Sequence, residues 1–141
     1  KKLHYLLKSE KINSEIQNKI FILACKEGHI KIVKSLLKSN KVDPNIQDKN
    51  GETGFIWVCK EGHTEIVKLL LKSEKVDPNI QGKYGYNGFI QACIKGYMEI
   101  VKLLLNSEKV DLNIQDEFGY TGFIEACKNR HTEIIRLLEN R

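Results

Sequence analysis

The 141-residue sequence contains no apolar run that approaches the roughly 18–20 residues a helix needs to cross a bilayer. It also shows no signal peptide, because the opening residues 1–4 are not followed by an apolar segment. A nucleophile elbow, a phosphate-binding glycine loop and a paired-carboxylate signature are all missing. These absences predict a protein without membrane contact, without a cofactor and without enzymatic activity.

The residues that are present suit one folded domain. Hydrophobic residues make up 41% of the chain and charged residues 29%, which is typical of a globular domain rather than a disordered chain. With 23 basic and 18 acidic residues, the net charge is +5. This excess raises nucleic acid as a possible partner without establishing it.

Four cysteines, each 34 residues from the next, indicate an internal repeat. A fixed period between about 20 and 50 residues is the mark of a repeat protein. Apolar and basic columns keep the same step as the cysteines. The columns are Cys25, Cys59, Cys93 and Cys127; Phe21, Phe55, Phe89 and Phe123; Leu36, Leu70, Leu104 and Leu138; and Lys34, Lys68, Lys102 and Arg136.

The clearest copy, residues 48–81, predicts two short helices and a turn. Asn50-Gly51 is a tight-turn dipeptide, since glycine adopts positive φ without steric cost. Thr53 stands where a helix N-cap is needed, and Gly62 follows the first helix as a positive-φ residue. Helices of about eight to ten residues are marginal alone. We therefore expect an all-α solenoid of stacked helix-turn-helix units joined by short β-hairpin loops.

In these features the chain resembles the ankyrin repeat family over essentially its whole length. The resemblance rests on Asp48, Gly51, Thr53, Gly62-His63, the segment 65–71 and Asp77-Pro78-Asn79. It implies a monomeric module that binds a protein partner through its hairpin tips and the concave inner-helix face. Lysine, isoleucine and asparagine supply 48 of the 141 residues; this AT-rich codon usage, together with an ankyrin array, suggests a role in host–pathogen interaction.

Three departures from the family pattern each lead to a structural expectation. The family's Thr-Pro-Leu-His is here Thr53-Gly54-Phe55-Ile56, and glycine in place of proline is expected to cost about 1 kcal/mol per repeat. Without the histidine, Thr53 should only cap the helix. Arg130 replaces a column glycine, and we expect Asn129 to supply the positive φ there.

The single domain, residues 1–141, divides into units whose ends differ from its middle. The units are residues 1–13 (the second helix of a partial repeat), 14–47 (a repeat with its hairpin shortened by four residues), 48–81, 82–115 and 116–141 (a C-terminal capping repeat). The capping role follows from Glu139, which stands in a column of buried leucines.

The cysteines raise a metal hypothesis, because a Cys-x3-His spacing recurs in three copies. Zinc needs about four ligands converging at roughly 2.0–2.3 Å, whereas repeat-locked cysteines should lie roughly 8–10 Å apart along the stack. This spacing also exceeds the limit of about 7 Å between the Cα atoms of a disulfide. We expect no metal site and four buried free thiols, which indicate a reducing compartment, cytoplasmic or nuclear.

The family's binding face corresponds to twelve residues in the three full-pattern repeats. Five are aromatic, where the chain average of 8% gives about one, and aromatic residues anchor many protein interfaces. The resemblance therefore implies a contact centred on Trp57, Tyr84, Tyr86, Phe118 and Tyr120, with Glu52, Gln91 and Glu125 adding polar specificity. The other four positions are Lys49, Asn50, Lys83 and Glu117.

Two alternatives stay open. Tyr86 and Tyr120 could stack along the hairpins and shield the backbone rather than contact a partner. The twelve positions carry a net charge of −1, so the basic excess lies on outer helices and loops, where it could bind nucleic acid or an acidic partner. Such lysine columns are more often a solvated surface, so nucleic acid is not the partner that the sequence favours.

Overall fold

The computed structural model describes residues 10–141, which form eight α-helices in four pairs. They are α1 (Glu10–Glu27), α2 (Ile30–Leu37), α3 (Gly54–Glu61), α4 (Thr64–Lys72), α5 (Gly88–Lys95), α6 (Met98–Leu105), α7 (Gly122–Lys128) and α8 (Thr132–Glu139). A short 3-10 turn spans Lys83–Gly85, and no β-strand occurs within residues 10–141. The all-α prediction is confirmed.

The odd-numbered helices stack into an inner layer and the even-numbered helices into an outer layer. Successive inner helices contact each other more extensively than successive outer helices do, so the stack is tighter on its inner side. One continuous core runs between the layers and contains the repeating Phe55 and Phe89 and the repeating Leu70 and Leu104. The predicted stack is confirmed.

Side-chain caps begin the inner helices at the predicted positions. Thr53 Oγ1 accepts a hydrogen bond from the backbone N–H three residues later at 3.1 Å, and Asn87 Oδ1 does the same at 2.9 Å. Thr121 repeats this contact at 3.4 Å. Gly62 ends α3 with φ 81. These predicted helix boundaries are confirmed.

Tight turns, rather than regular hairpin strands, connect one repeat to the next. The Asp48 N–H donates to the Glu52 carbonyl at 2.9 Å, and equivalent bonds close the turns at 82–86 and 116–120. Gln81 Nε2 donates both to a carbonyl of its own turn and to the Gln115 carbonyl of the next repeat, each at 2.8 Å. The turns are thereby joined side by side along the array.

The N-terminal unit differs from the prediction. Helix α1 is continuous from Glu10 to Glu27, so residues 14–20 are helical and hold no shortened hairpin. The physical reason is that residues 10–20 contain neither glycine nor proline, and nothing interrupts the helix there. The helix predicted for residues 1–13 falls largely on residues 1–9, which lie outside the described residues.

Close packing explains the glycines that begin α3, α5 and α7. A β-carbon at Gly88 would lie 2.6 Å from Phe55 Cε2 and 2.9 Å from Cys59 Sγ. Gly54 and Gly122 approach the phenylalanine and cysteine of their preceding repeats in the same way. Neighbouring inner helices can therefore pack this closely only if glycine occupies the first helical position. The entropy cost expected from the sequence describes just one effect of these glycines.

The last turn between helices also corrects the prediction. Arg130 has φ 59, whereas Asn129, expected to supply the positive φ, has φ −93. The His131 N–H reaches back to the Ala126 carbonyl at 3.0 Å, as the N–H of the equivalent residue does in earlier repeats. This bond requires a left-handed backbone conformation at the residue directly before the histidine, whichever side chain that residue carries.

Replacing Arg130 with glycine should therefore stabilise the protein by about 1 kcal/mol, because a left-handed non-glycine residue carries strain of roughly 1–2 kcal/mol. Urea unfolding measures the change as a shift of the midpoint. Arg130→Ala removes the same charge but keeps the β-carbon, so it should give no comparable gain. Equal shifts for both variants would assign the effect to charge instead of backbone strain.

Two histidines, His63 and His131, each link a repeat to the one before it. His63 Nε2 lies 2.9 Å from the Lys26 carbonyl, and His131 Nε2 lies 2.8 Å from the Ile94 carbonyl. Each contact satisfies a backbone acceptor near the end of the preceding inner helix. These two histidines therefore join neighbouring inner helices.

Candidate functional site

An exposed strip runs along the inner layer of the stack, and we call it the inner strip. It consists of the turn residues 49–52, 83–86 and 117–120 and the exposed faces of α1, α3, α5 and α7. Backbone contacts hold its turns together: the Glu117 N–H donates to the Tyr84 carbonyl at 3.0 Å. The Lys83 N–H donates to Glu52 Oε1, also at 3.0 Å. The strip is therefore a preorganised surface.

Two adjacent turns each carry a pair of aromatic rings. The Tyr84 and Tyr86 centroids are 5.7 Å apart in an edge-on arrangement, and those of Phe118 and Tyr120 are 6.4 Å apart. In each pair the first ring is the exposed one, with Tyr84 47% and Phe118 58% accessible. The second ring is half-buried and supports it. The structure thus brings four of the five predicted aromatic residues into two neighbouring pairs.

Trp57 forms a separate cluster on α3. Its Nε1–H donates to Asp48 Oδ2 at 2.9 Å. The ammonium groups of Lys26 and Lys60 lie 4.7 and 4.8 Å from the centroid of its ring system. No ring-to-ring contact joins Trp57 to the tyrosines among the described residues. The indole is half-buried and fixed by these three neighbours.

The expectation that Glu52, Gln91 and Glu125 are presented to a partner is wrong. They are only 2%, 5% and 3% exposed. The Glu52 carboxylate turns toward the next repeat, where a β-carbon at Gly82 would collide with it. Burial raises the pKa of Glu52, against the lowering effect of its hydrogen bond from the Lys83 N–H and of the nearby Lys60. Of these three side chains, Glu52 joins two turns of the strip through its hydrogen bond from the Lys83 N–H.

Glu125 belongs to a buried carboxyl pair with Asp116. Asp116 Oδ2 and Glu125 Oε2 are both buried, and no donor group of another residue reaches either oxygen. In the repeat two copies earlier, the equivalent positions hold Asp48 and Trp57, whose indole N–H donates to the aspartate. When Glu125 is protonated, its O–H group can donate to Asp116 as the Trp57 N–H donates to Asp48.

The pKa of Glu125 is raised and the pKa of Asp116 is lowered. Burial and the hydrogen bond with Asp116 raise the pKa of Glu125 to about 6, although Lys128 lowers it. For Asp116, burial acts to raise the pKa, but hydrogen bonds from Glu125 and from backbone N–H groups outweigh it and lower the value. The same two carboxyls contribute to the raised pKa of Tyr86, after burial of that hydroxyl.

Sequence reasoning placed Lys49 and Lys83 on the strip but missed the helical lysines Lys26, Lys60 and Lys128. Besides the two near Trp57, Lys128 lies 4.4 Å from the Tyr120 centroid and Lys83 lies 5.1 Å from that of Tyr84. The usable signal is the spacing of Trp57 and Lys60, since residues three apart share a helix face. The exposed Leu23, 56% accessible in the Trp57 column, was also missed and extends the strip onto α1.

The cysteines act as core residues in three of the four repeats. Burial raises the pKa of Cys25 to about 12, and burial likewise raises the pKa values of Cys59 and Cys93. Cys127 corrects the expectation of four buried thiols, because its side chain is exposed. Within residues 10–141, no cluster of three His, Cys, Asp or Glu side chains could hold a metal ion.

Four of the outer lysines make contacts of their own. Two form ion pairs within their helices, and two donate to carbonyls at the end of the preceding outer helix, which are otherwise unsatisfied. The pairs are Lys68–Glu65 (3.1 Å), Lys102–Glu99 (3.6 Å), Lys75 Nζ to Leu37 O (2.8 Å) and Lys109 Nζ to Leu71 O (3.1 Å).

Comparison with known families agrees with the fold. A family model described as ankyrin repeats (3 copies) matches residues 21–116 and, in an overlapping match, residues 89–141. No curated protein sequence matches the chain significantly. None of the helices described is both long and apolar enough to span a bilayer. Ankyrin repeats are in general protein–protein interaction modules. With most of its length matched by the family model, the chain belongs to the ankyrin repeat family.

Proposed function

We propose that this protein is a non-enzymatic module that binds a partner protein through the inner strip, with Tyr84 and Phe118 as its main anchors. The observation that supports the proposal most is the display of these two exposed rings on adjacent, hydrogen-bonded turns. Aromatic side chains on a rigid scaffold lose little entropy on binding and often contribute most of an interface's affinity. Trp57, Tyr86 and Tyr120 contribute from half-buried positions.

Backbone strain at Tyr84 adds support. Its φ is 62, a conformation that favours glycine or asparagine over an aromatic residue. The equivalent Phe118 N–H donates to Asp116 Oδ1 at 2.9 Å, but Gly82 leaves Tyr84 without such an acceptor. An exposed, strained aromatic residue at a turn tip is typical of a position that serves binding more than stability.

The half-buried Tyr86 and Tyr120 are placed where they can both pack along the turns and contact a partner. Each packs against the exposed ring of its own turn, and Lys128 covers Tyr120. Their removal would therefore disturb the exposed rings as well as any direct contact. For this reason Tyr84 and Phe118 give the cleaner test of binding.

The same proposal places the protein in a reducing compartment, either cytoplasm or nucleus. The four cysteines are unpaired, and Cys127 exposes a free thiol. Free thiols of this kind persist where glutathione and thioredoxin keep them reduced.

Tyr84→Asn combined with Phe118→Ala should weaken partner binding on the order of 10- to 100-fold. The partner is first captured by crosslinking from cell extract, and its affinity for each variant is then measured by calorimetry. Because asparagine tolerates positive φ, Tyr84→Asn alone should leave the protein at least as resistant to urea as the wild type. A loss of affinity then cannot be ascribed to unfolding.

The matched control is Lys68→Ala with Lys102→Ala on the outer helices, which should change the affinity less than about twofold. If only this lysine pair weakens binding, the inner strip is the wrong surface and the electrostatic alternative on the outer helices replaces it. A steep loss of affinity with salt would accompany that outcome.

A further inference from the structure

The inner strip is more basic than the twelve positions identified from the sequence, which carry a net charge of −1. Two of the acidic residues assigned to it, Glu52 and Glu125, are buried, and each inner helix carries a lysine in or at the end of its last turn. The accessible charged residues on the turns and last helical turns are six lysines and three glutamates, and the buried Glu52 and Glu125 that pair with two of the lysines reduce the net charge to +1. The lysines are Lys26, Lys49, Lys60, Lys83, Lys95 and Lys128.

Four of these ammonium groups are held against aromatic rings. The distances to the ring centroids lie between 4.4 and 5.1 Å, for Lys26 and Lys60 at Trp57, Lys83 at Tyr84 and Lys128 at Tyr120. The electron-rich ring face attracts the ammonium and keeps it in place. Lys60 and Lys128 also pair with the buried Glu52 and Glu125, at 3.9 and 3.8 Å. A carboxylate arriving from solvent therefore meets Lys26 and Lys83 as cations that are already positioned, beside ring edges that can take apolar side chains.

The same arrangement disfavours single-stranded nucleic acid. Bases bind such grooves by stacking on aromatic faces, but here lysine ammonium groups lie over the faces of Trp57, Tyr84 and Tyr120. Three accessible glutamates, Glu27, Glu61 and Glu117, are interspersed along the strip and would repel a continuous phosphate backbone. Separate carboxylates spaced between apolar side chains avoid this repulsion.

We propose that the inner strip recognises an acidic polypeptide segment, in which Asp or Glu side chains alternate with apolar or aromatic ones. The carboxylates pair with the ring-bound Lys26 and Lys83, and the apolar side chains pack on Tyr84, Phe118 and Leu23. This inference rests on the proposed function, because it specifies the chemistry of the partner for the same surface.

The test is a selection of randomised peptides displayed on phage against the immobilised chain. We expect the enriched peptides to be more acidic than the starting library and to contain apolar residues between the acidic ones. The most enriched peptide is then titrated by fluorescence of Trp57, which is the only tryptophan of the chain. Lys26→Gln with Lys83→Gln should weaken its binding about tenfold. The matched pair Lys68→Gln with Lys102→Gln should weaken it less than about twofold.

Several results would overturn the inference. These are a lack of enrichment, enrichment of neutral or basic peptides, equal losses for the two lysine pairs, and tighter binding of a uridine oligonucleotide than of the selected peptide. The variant Tyr84→Asn with Phe118→Ala separates this failure from a failure of the proposed function. Non-acidic peptides that lose affinity for this variant would leave the surface assignment intact, whereas peptides that bind it unchanged would remove both.

Discussion

Gly88→Ala is expected to destabilise the protein by about 2 kcal/mol, although alanine is the better helix former. The helix propensity gained is at most about 1 kcal/mol. The added β-carbon would lie 2.6 Å from Phe55 Cε2 and 2.9 Å from Cys59 Sγ. Both side chains are buried, at 2% and 0% exposure, so neither can move away without disturbing its own neighbours. Overpacking of this kind typically costs about 1–3 kcal/mol.

Urea unfolding followed by Trp57 fluorescence measures this effect, because Trp57 lies on α3, the helix against which α5 packs. The control is Gly119→Ala, since Gly119 has φ 82 and no atom within 4 Å of the added carbon. It should lose only about 1 kcal/mol, through backbone strain alone. A Gly88→Ala variant as stable as the wild type would show that the inner helices can separate without cost.

A second substitution identifies the collision partner. The family pattern that the chain resembles has proline and leucine where this chain has Gly54-Phe55, which suggests that the larger Phe55 and the smaller Gly88 compensate each other across the repeat interface. Phe55→Leu should therefore recover part of the stability lost in Gly88→Ala, giving a favourable coupling between the two changes of at least about 1 kcal/mol. Strictly additive losses would contradict this pairing.

The repeat period explains how much of the fold could be predicted from the sequence. Residues 34 apart occupy equivalent environments, so one readable copy identifies the caps at Thr53, Asn87 and Thr121 together. The 34-residue period no longer predicts the structure where the local sequence changes. This is the case in α1, where no turn signal interrupts the helix. It also cannot reveal the approach of Gly88 to Phe55, because that contact depends on the spacing between helices.

The candidate site was predictable in position but less so in chemistry. The resemblance placed Tyr84 and Phe118 on exposed turns, where the structure also finds them. It could not indicate that Glu52 and Glu125 turn inward, because the direction of a long side chain depends on the neighbouring repeat. For Glu52 the deciding neighbour is Gly82, whose missing side chain leaves room for the carboxylate.

Glu125→Gln is expected to stabilise the protein above about pH 6 and to remove a pH dependence that the wild type shows. The glutamine amide can donate to Asp116 Oδ2 at every pH, whereas Glu125 can donate only while it is protonated. The pKa of Glu125 is raised from 4.5 to about 6 in the folded protein. A shift of this size corresponds to roughly 2 kcal/mol.

The direction of the effect follows from proton binding. Between about pH 4.5 and pH 6, the folded protein holds a proton on Glu125 that the unfolded chain has released. Raising the pH through this window removes the proton and lowers the stability of the wild type, which then stays low at higher pH. Asp116, whose pKa is lowered, acts in the opposite sense but only at more acidic pH, where its protonation destabilises the fold.

Urea midpoints of the wild type and of Glu125→Gln, compared at about pH 4.5 and about pH 7.5, isolate this contribution. The two proteins should be close in stability at the lower pH and differ by up to about 2 kcal/mol at the higher one. Glu61→Gln removes the same charge from an exposed glutamate of α3 and should follow the wild type at both values. If Glu125→Gln is the less stable protein at about pH 7.5, Glu125 does not need a proton to occupy its buried position, and the shared-proton pairing with Asp116 is wrong.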